Sequence, residues 1–303
     1  MRALVTGASG FLGRRLCAAL VEKKHFVVGL VRDLLAQPFP SAAALVFGNF
    51  TDVERAIAEY EIDTVFHLAA QTQVSVGVTH PVATLEANVQ GTWMVLEACR
   101  RQKVKRVIVA SSDKAYGEGG VPYREDQGLR PHGIYATSKA CADMIAQSYA
   151  IEYGMSVAIT RCGNLYGPGH TNFSTLIPST IKSALRNEAP QLRSDGFAKR
   201  DFVYVDDAVD GYIKLADYGR SAIVNFGTGR GLTVRQVAQH ILDLMGVNVE
   251  VLVSELRAQE IDWQILDASF AREVLGWKSR TFEEGIVPTI AWYRDAFEKG
   301  VIR

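Results

Sequence analysis

The first thirteen residues restrict the fold more than any other stretch of the chain. Arg2 to Thr6 is a short apolar run of strand character. Gly7-Ala8-Ser9-Gly10-Phe11-Leu12-Gly13 follows at once, and helical periodicity then runs through Leu16, Leu20 and Val21. A strand, a glycine turn and a helix in that order form the setting in which a chain cradles a dinucleotide. The glycines let the backbone turn tightly and approach a pyrophosphate, while the helix N-terminus offers free N–H groups to the anion. The spacing is G-x-x-G-x-x-G rather than G-x-G-x-x-G, and Gly7, Ser9, Gly10, Phe11, Leu12 and Gly13 are the candidate cofactor contacts.

The same alternation continues. Strands are expected at Phe26 to Val31, Leu45 to Phe47, Thr64 to Leu68, Arg106 to Ala110 and Val157 to Arg161, with long helices at Pro81 to Arg101 and Ile134 to Tyr153. Repeated β–α units predict an α/β fold of Rossmann type, a doubly wound parallel sheet. Beyond Gly169 the pattern changes, which predicts a smaller C-terminal substrate domain interleaved with the sheet. The expected division is residues 1–165, with 202–228 returning, for the dinucleotide domain, and 166–201 with 229–303 for the other.

The end of the second strand bears on the type of dinucleotide. Binders of NAD place an acid there for the ribose 2′-hydroxyl. Here the position reads Val31, followed by Arg32 and Asp33. An arginine without the acid suits a 2′-phosphate, so NADP is favoured, and Asp33 one residue on keeps NAD open. Asn49 after the third strand can face an adenine edge. Leu68, Ala69 and Ala70 are small enough to let the backbone pass close to a cofactor, with Gln71 beyond them. His67, at a strand end among apolar neighbours, reads as a hydrogen-bonded structural histidine.

Bulk properties exclude several classes. Lys plus Arg and Asp plus Glu balance at 33 each, which argues against a general polyanion surface and so against nucleic acid. No apolar run reaches membrane length, and the chain enters its first strand without a signal peptide. The cysteines Cys17, Cys99, Cys141 and Cys162 match no metal spacing and read as reduced core residues, so no metal is expected. Together these predict a soluble cytoplasmic protein.

The chemistry concentrates between Val109 and Lys139. Ser111-Ser112-Asp113-Lys114-Ala115-Tyr116-Gly117 follows the fifth strand, and Tyr135-Ala136-Thr137-Ser138-Lys139 opens the next helix. At i and i+4, Tyr135 and Lys139 share a helix face. A cation close to the phenol favours its ionised form and suits it to act as a base. Ligands in open α/β sheets bind at the carboxyl ends of strands, so Ser112 and the glycine loop should converge.

Taken together, Thr6 to Gly13, His67 to Ala70, Ser111 to Gly117, Tyr135 with Lys139, Arg161 to Gly169, Arg200 to Asp207 and Leu275-Gly276-Trp277 resemble the extended short-chain dehydrogenase/reductases that act on nucleotide-sugars. The resemblance covers essentially the whole chain, in order and spacing. It implies Tyr135 as catalytic base, Lys139 as the group that lowers its pKa and holds the nicotinamide ribose, and Ser112 as a ligand of the sugar 4-hydroxyl. It implies Asn164, Arg200 and Arg257 as contacts of the nucleoside diphosphate, where guanidinium groups make bidentate charge-assisted bonds.

Within that family the 4,6-dehydratases carry Thr-Asp-Glu where this chain has Ser112-Asp113-Lys114. The aspartate fits the acid that protonates the leaving 6-hydroxyl, while lysine replaces the glutamate that removes the C5 proton. Asp-Lys at this place is similar to CDP-glucose 4,6-dehydratases and to some inverting UDP-sugar dehydratases. The tail Arg257-Ala258-Gln259-Glu260-Ile261-Asp262 is similar instead to GDP-mannose dehydratases, as is Arg32 after the second strand. The resemblance thus implies a 4,6-dehydratase with tightly bound NADP or NAD and an unspecified nucleotide-sugar. Lys114 serves it as a base, as an electrostatic group, or only as a salt-bridge partner of Asp113. A 4-epimerase, a 4-keto-sugar reductase and a dinucleotide-sensing binding protein are the alternatives. Family dimers pair the two long helices with their copies, so a homodimer is expected.

Overall fold

The computed structural model describes residues 1–32, 44–254 and 261–302. β1 (Arg2–Thr6), α1 (Phe11–Glu22), β2 (Phe26–Val31), β3 (Ala44–Phe47), α2 (Val53–Glu59) and β4 (Thr64–His67) open the chain. Next come α3 (Val74–Thr79), α4 (Pro81–Leu85), α5 (Gly91–Arg101), β5 (Arg106–Ala110), α6 (Ile134–Tyr153) and β6 (Val157–Cys162). The remainder comprises β7 (Asn164–Tyr166), α7 (Leu176–Leu185), β8 (Lys199–Tyr204), α8 (Val205–Tyr218), β9 (Ala222–Phe226), β10 (Gly231–Thr233), α9 (Val234–Met245), β11 (Trp263–Gln264), α10 (Ser269–Leu275) and α11 (Phe282–Glu298).

Seven strands form one sheet in the order β3-β2-β1-β4-β5-β6-β9, every neighbouring pair parallel. Strands buried on both faces must be apolar at consecutive positions, as Ala3-Leu4-Val5, Val107-Ile108-Val109 and Val157-Ala158-Ile159 are. Alternate side chains then serve different cores. Ala3 and Val5 pack toward α1 and α8, while Leu4, Val65 and Val107 pack toward α2, α5 and α6. Strand order runs outward in both directions from β1 and β4, so a crevice opens at their carboxyl ends, where the glycine loop and residues 68–71 lie.

The expected single helix from Pro81 to Arg101 is broken by a π turn at Glu86–Gln90. That turn aims buried Asn88 inward, where its amide nitrogen donates to the Gln71 carbonyl at 2.9 Å and to Ser138 Oγ at 2.8 Å. Its oxygen accepts from Gln71 N at 2.7 Å, which ties the loop after β4 to α6.

A small second sheet has β8 at its centre, with β10 antiparallel and β7 and β11 parallel to it. Helices α7, α9 and α11 cover it and share an aromatic-rich core with Tyr166, Phe202, Phe282 and Tyr293. Asp201 is the knot of this part. Its carboxylate accepts from Thr228 N (2.8 Å), Thr228 Oγ1 (2.6 Å), Gly229 N (3.1 Å) and Leu266 N (3.3 Å). Trp277 seals α10 against α8, its Nε1 donating to Asp207 O at 2.7 Å after Gly276 ends the helix at φ +59°.

Candidate active site

A cavity of about 1040 Å³ runs along the carboxyl ends of β1, β4 and β5 and out between the two sheets. Every candidate site residue named above except Asp33 and Arg257 borders it. Arg257 and Asp33 lie outside the described residues.

The glycine loop is shaped to hold a diphosphate. Gly7 sits at φ +70°, and a Cβ there would stand 2.8 Å from Ala69 N, so the loop and the β4 segment touch backbone to backbone. A Cβ on Gly13 would meet Gly7 O at 2.2 Å, which seats α1 directly on the turn. Gly10 caps α1 with no side-chain bond, leaving first-turn N–H groups toward the cavity. These features fit a dinucleotide. Arg32 is exposed at the end of β2 on the cavity rim. Asn49 also borders the cavity, but its side-chain oxygen caps the turn at residues 50–52, accepting from Thr51 N at 2.8 Å.

Ser112, Asp113 and Lys114 stand where β5 ends, as the strand alternation predicts. Ser112 caps the turn, its Oγ accepting from Lys114 N at 3.2 Å and donating to Asp113 Oδ1 at 3.1 Å. Asp113 is 2% exposed, and its Oδ2 has no partner. Lys114 Nζ lies 3.8 Å from Asp113 Oδ1 and 3.5 Å from Asn164 Oδ1. Ser111 Oγ and Asn164 Nδ2 are likewise buried without a partner. Buried polar atoms cost free energy when unpaired, so three of them on one cavity wall mark where polar ligand groups belong.

Tyr135 and Lys139 share the inner face of α6, but they do not meet as the helical spacing predicts. Lys139 Nζ donates to Ala110 O at 2.6 Å, because a buried ammonium takes the acceptor within reach. Burial pushes the Tyr135 phenol up to about 12, with the Asp113 charge adding to the rise and a Ser112 hydrogen bond opposing it. Burial draws Lys139 down to about 8 against the pull of Asp143. Lys139 is not among the groups that act on the phenol in this arrangement.

His67 is the structural histidine expected. Its ring bonds Thr6 Oγ1 at 2.8 Å and Thr92 Oγ1 at 3.1 Å, and burial lowers it to about 3. The Gln71 side chain folds back on its own loop, Nε2 donating to Gln73 O at 3.0 Å. Arg200 reaches the cavity wall from β8 while Nη1 donates to Ile261 O at 2.8 Å. Among the described residues no group of three His, Cys, Asp or Glu could hold a metal, and no helix is long and apolar enough to cross a membrane.

Several cavity residues escape sequence reasoning. His170 stacks on Phe11 of the glycine loop at 4.4 Å between ring centres, and Gln191 and Arg193 face the outer end. The last two flank buried Leu192 in an extended segment bonded to Leu252, and that alternation is the one signal that could have found them.

This geometry agrees with the comparisons with known proteins. The profile described as "NAD dependent epimerase/dehydratase family" matches residues 3–227. The chain belongs to that family. It is 34% identical to a dTDP-glucose 4,6-dehydratase of Streptomyces antibioticus, over 97% of this chain and 93% of the relative. Its fold is similar to a UDP-glucose 4-epimerase of Thermotoga maritima solved with UDP-glucose (TM-score 0.92, 29% identity, 98% and 100% of the chains covered). It is also similar to TunA, described as an NAD-dependent NDP-hexosamine 5,6-dehydratase (TM-score 0.90, 30% identity, 97% and 98% covered). The seven-stranded doubly wound fold and the family expected from the sequence both stand.

Proposed function

We propose that the protein is a nucleotide-sugar 4,6-dehydratase that converts an NDP-hexose to its 4-keto-6-deoxy product with a nicotinamide dinucleotide. The observation that carries this reading is Asp113, a buried carboxyl group with an unpartnered oxygen beside Ser112 on the cavity wall. A 4-epimerase needs no acid there, whereas elimination of water requires one to protonate the departing oxygen.

In the proposed reaction, Ser112 bonds the sugar 4-hydroxyl and hands its proton to Tyr135. A nicotinamide dinucleotide held by the glycine loop would supply the redox chemistry, taking hydride from C4 and giving it at C6. Lys139 holds the nicotinamide ribose. With C4 a ketone, the C5 proton is acidic and leaves to a water, and a solvent proton is taken up at C5 as hydride reaches C6. Lys114, lying between Asp113 and Asn164, steadies the enolate charge, and Asp113 protonates the departing 6-hydroxyl. Asn164 and Arg200 meet the diphosphate, joined by Arg257, and Gln71 meets the sugar. The glycine loop with Leu68, Ala69 and Ala70 carries the dinucleotide. Exposed Arg32 supports a 2′-phosphate and hence NADP, with NAD the competing ligand. The two-lobe division at residues 1–165 with 202–228, against 166–201 with 229–303, belongs to this proposal. So does a reducing cytoplasmic setting, supported by four unpaired cysteines.

The test is proton NMR in deuterated water with CDP-glucose, GDP-mannose, UDP-N-acetylglucosamine and dTDP-glucose, without added reductant. A new 6-methyl signal with deuterium at C5 is expected from one donor. Stereochemical change without a methyl signal would make the protein a 4-epimerase. A requirement for reduced cofactor and a keto-sugar would make it a reductase, and dinucleotide binding without any turnover a sensor.

A further inference from the structure

Behind the acid loop lies a buried charge pair that takes no part in the scheme above. Asp143 and Arg161 are 0% and 1% exposed and joined at both ends, Nε to Oδ2 at 2.8 Å and Nη2 to Oδ1 at 3.0 Å. Asp143 stands one turn beyond Lys139 on α6, so its carboxylate shares a helix face with that ammonium. Arg161 comes from β6, the neighbour of β5. Its guanidinium lies 4.7 Å from the centre of the Tyr116 ring, and its Nη1 donates to Glu125 O at 3.3 Å. Tyr116 in turn closes the turn that carries Asp113 and Lys114, and its hydroxyl donates to Asn225 Oδ1 at 2.7 Å.

One carboxylate therefore reaches the Tyr135 helix at one end and the root of the acid loop at the other. A buried ion pair is a poor source of stability, because desolvation offsets most of the attraction. What it does supply is a fixed direction and a fixed charge. We propose that Asp143 is a positioning residue for the reaction, acting on Lys139 through its charge and on the Asp113 loop through Arg161 and Tyr116. This rests on the reading of Tyr135 and Lys139 as the reactive pair.

The groups that face Lys139 can be named from each element around it. Tyr135 and Asp143 lie on its own helix, the Ala110 carbonyl on β5, Cys162 on β6 and His67 on β4. Burial leaves Cys162 up at about 12 and His67 down at about 3, so both are neutral near pH 7. The carboxylate that opposes the loss of charge on Lys139 is Asp143. Without it, burial would act on the ammonium with no carboxylate on α6 to oppose it, and its proton would leave at lower pH.

The experiment compares the parent with Asp143→Asn, Asp143→Glu and Arg161→Lys across pH. It follows both dinucleotide affinity by calorimetry and, where a donor is turned over, kcat. For Asp143→Asn the alkaline limb of both curves is expected to move about one pH unit lower, a roughly tenfold loss at the pH where the parent limb begins. Asp143→Glu keeps the charge and should keep the limb. Arg161→Lys should lower kcat with the limb in place, since it retains the charge but not the fork. Superimposable limbs for parent and Asp143→Asn, with activity following thermal stability alone, would overturn the proposal. So would a shift of the Asp143→Glu limb by about one pH unit below the parent's, a comparison that remains available if the asparagine variant does not fold. Absence of turnover in the parent would refute the functional reading, while the affinity curves would still judge Asp143.

Discussion

Replacing Asp113 by asparagine separates the steps of the proposed reaction. The change is nearly isosteric at a site 2% exposed and removes the proton that the departing 6-hydroxyl requires. Loss of a general acid lowers a rate by about 10²–10⁴-fold, or about 3–5 kcal/mol in the barrier. The effect on stability is much smaller. The carboxylate's ion pair with Lys114 spans 3.8 Å, and the lysine side chain is 26% exposed. Losing such a pair costs about 1 kcal/mol or less. Removing a charge whose Oδ2 has no partner relieves part of that. Thermal midpoint and dinucleotide binding should therefore stay close to the parent while the methyl signal falls. Oxidation at C4 uses Ser112 and Tyr135, so recovered substrate should still gain deuterium at C5. Proton NMR in deuterated water reads both events in one tube. Methyl formation at the parent rate would refute the assignment of the acid. A parallel fall of C5 exchange and methyl signal would place the defect at C4 instead.

Three other outcomes follow from the geometry. His67 is held neutral in the fold with its pKa lowered to about 3, so stability is complete above the unfolded value near 6.5 and is lost as pH falls toward 3. The stake is on the order of 5 kcal/mol from this one ring, and urea titrations at stepped pH should show a shallower acid slope in His67→Gln. Gly7→Ala forces φ +70° on a side chain and a Cβ to 2.8 Å from Ala69 N. It should cost at least about 1 kcal/mol and weaken dinucleotide binding by more than tenfold; unchanged calorimetry would contradict the cradle. Val82, Trp93, Met144 and Ile151 are exposed on the helices expected to pair with a second copy. Light scattering should give twice the chain mass, and Met144→Glu should halve it.

Where local pattern sufficed, the sequence was a faithful guide. The apolar runs at Arg2–Thr6 and Arg106–Ala110 announced parallel strands because strands buried on both faces have no other composition available. The fall of Ser112 and Asp113 at the end of β5 followed from the same periodicity. Features that depend on partners distant in sequence stayed hidden. The π turn at Glu86–Gln90 exists to aim Asn88 at Gln71 and Ser138, neither of which its own helix contains. Spacing put Tyr135 and Lys139 on one face but could not reveal that Ala110 O, 29 residues away, would claim the ammonium. Arg161 read as the end of a strand and the first residue of a family motif, with nothing to signal a carboxylate on the preceding helix.

Asp201 has a consequence for the order in which this protein can come into being. Its four donors are drawn from positions 228, 229 and 266, so the strand at the centre of the small sheet lacks the full set of partners for its buried carboxylate until residue 266 has left the ribosome. By then all seven strands of the large sheet, ending at Phe226, are already synthesised. Chains fold from the N-terminus as they emerge, and contacts between distant residues form slowly. The nascent chain can thus complete its dinucleotide cradle while the opposite wall of the cavity is still unmade. Cofactor present at that moment would act as a template, favouring the half-built molecule that the remaining residues then close.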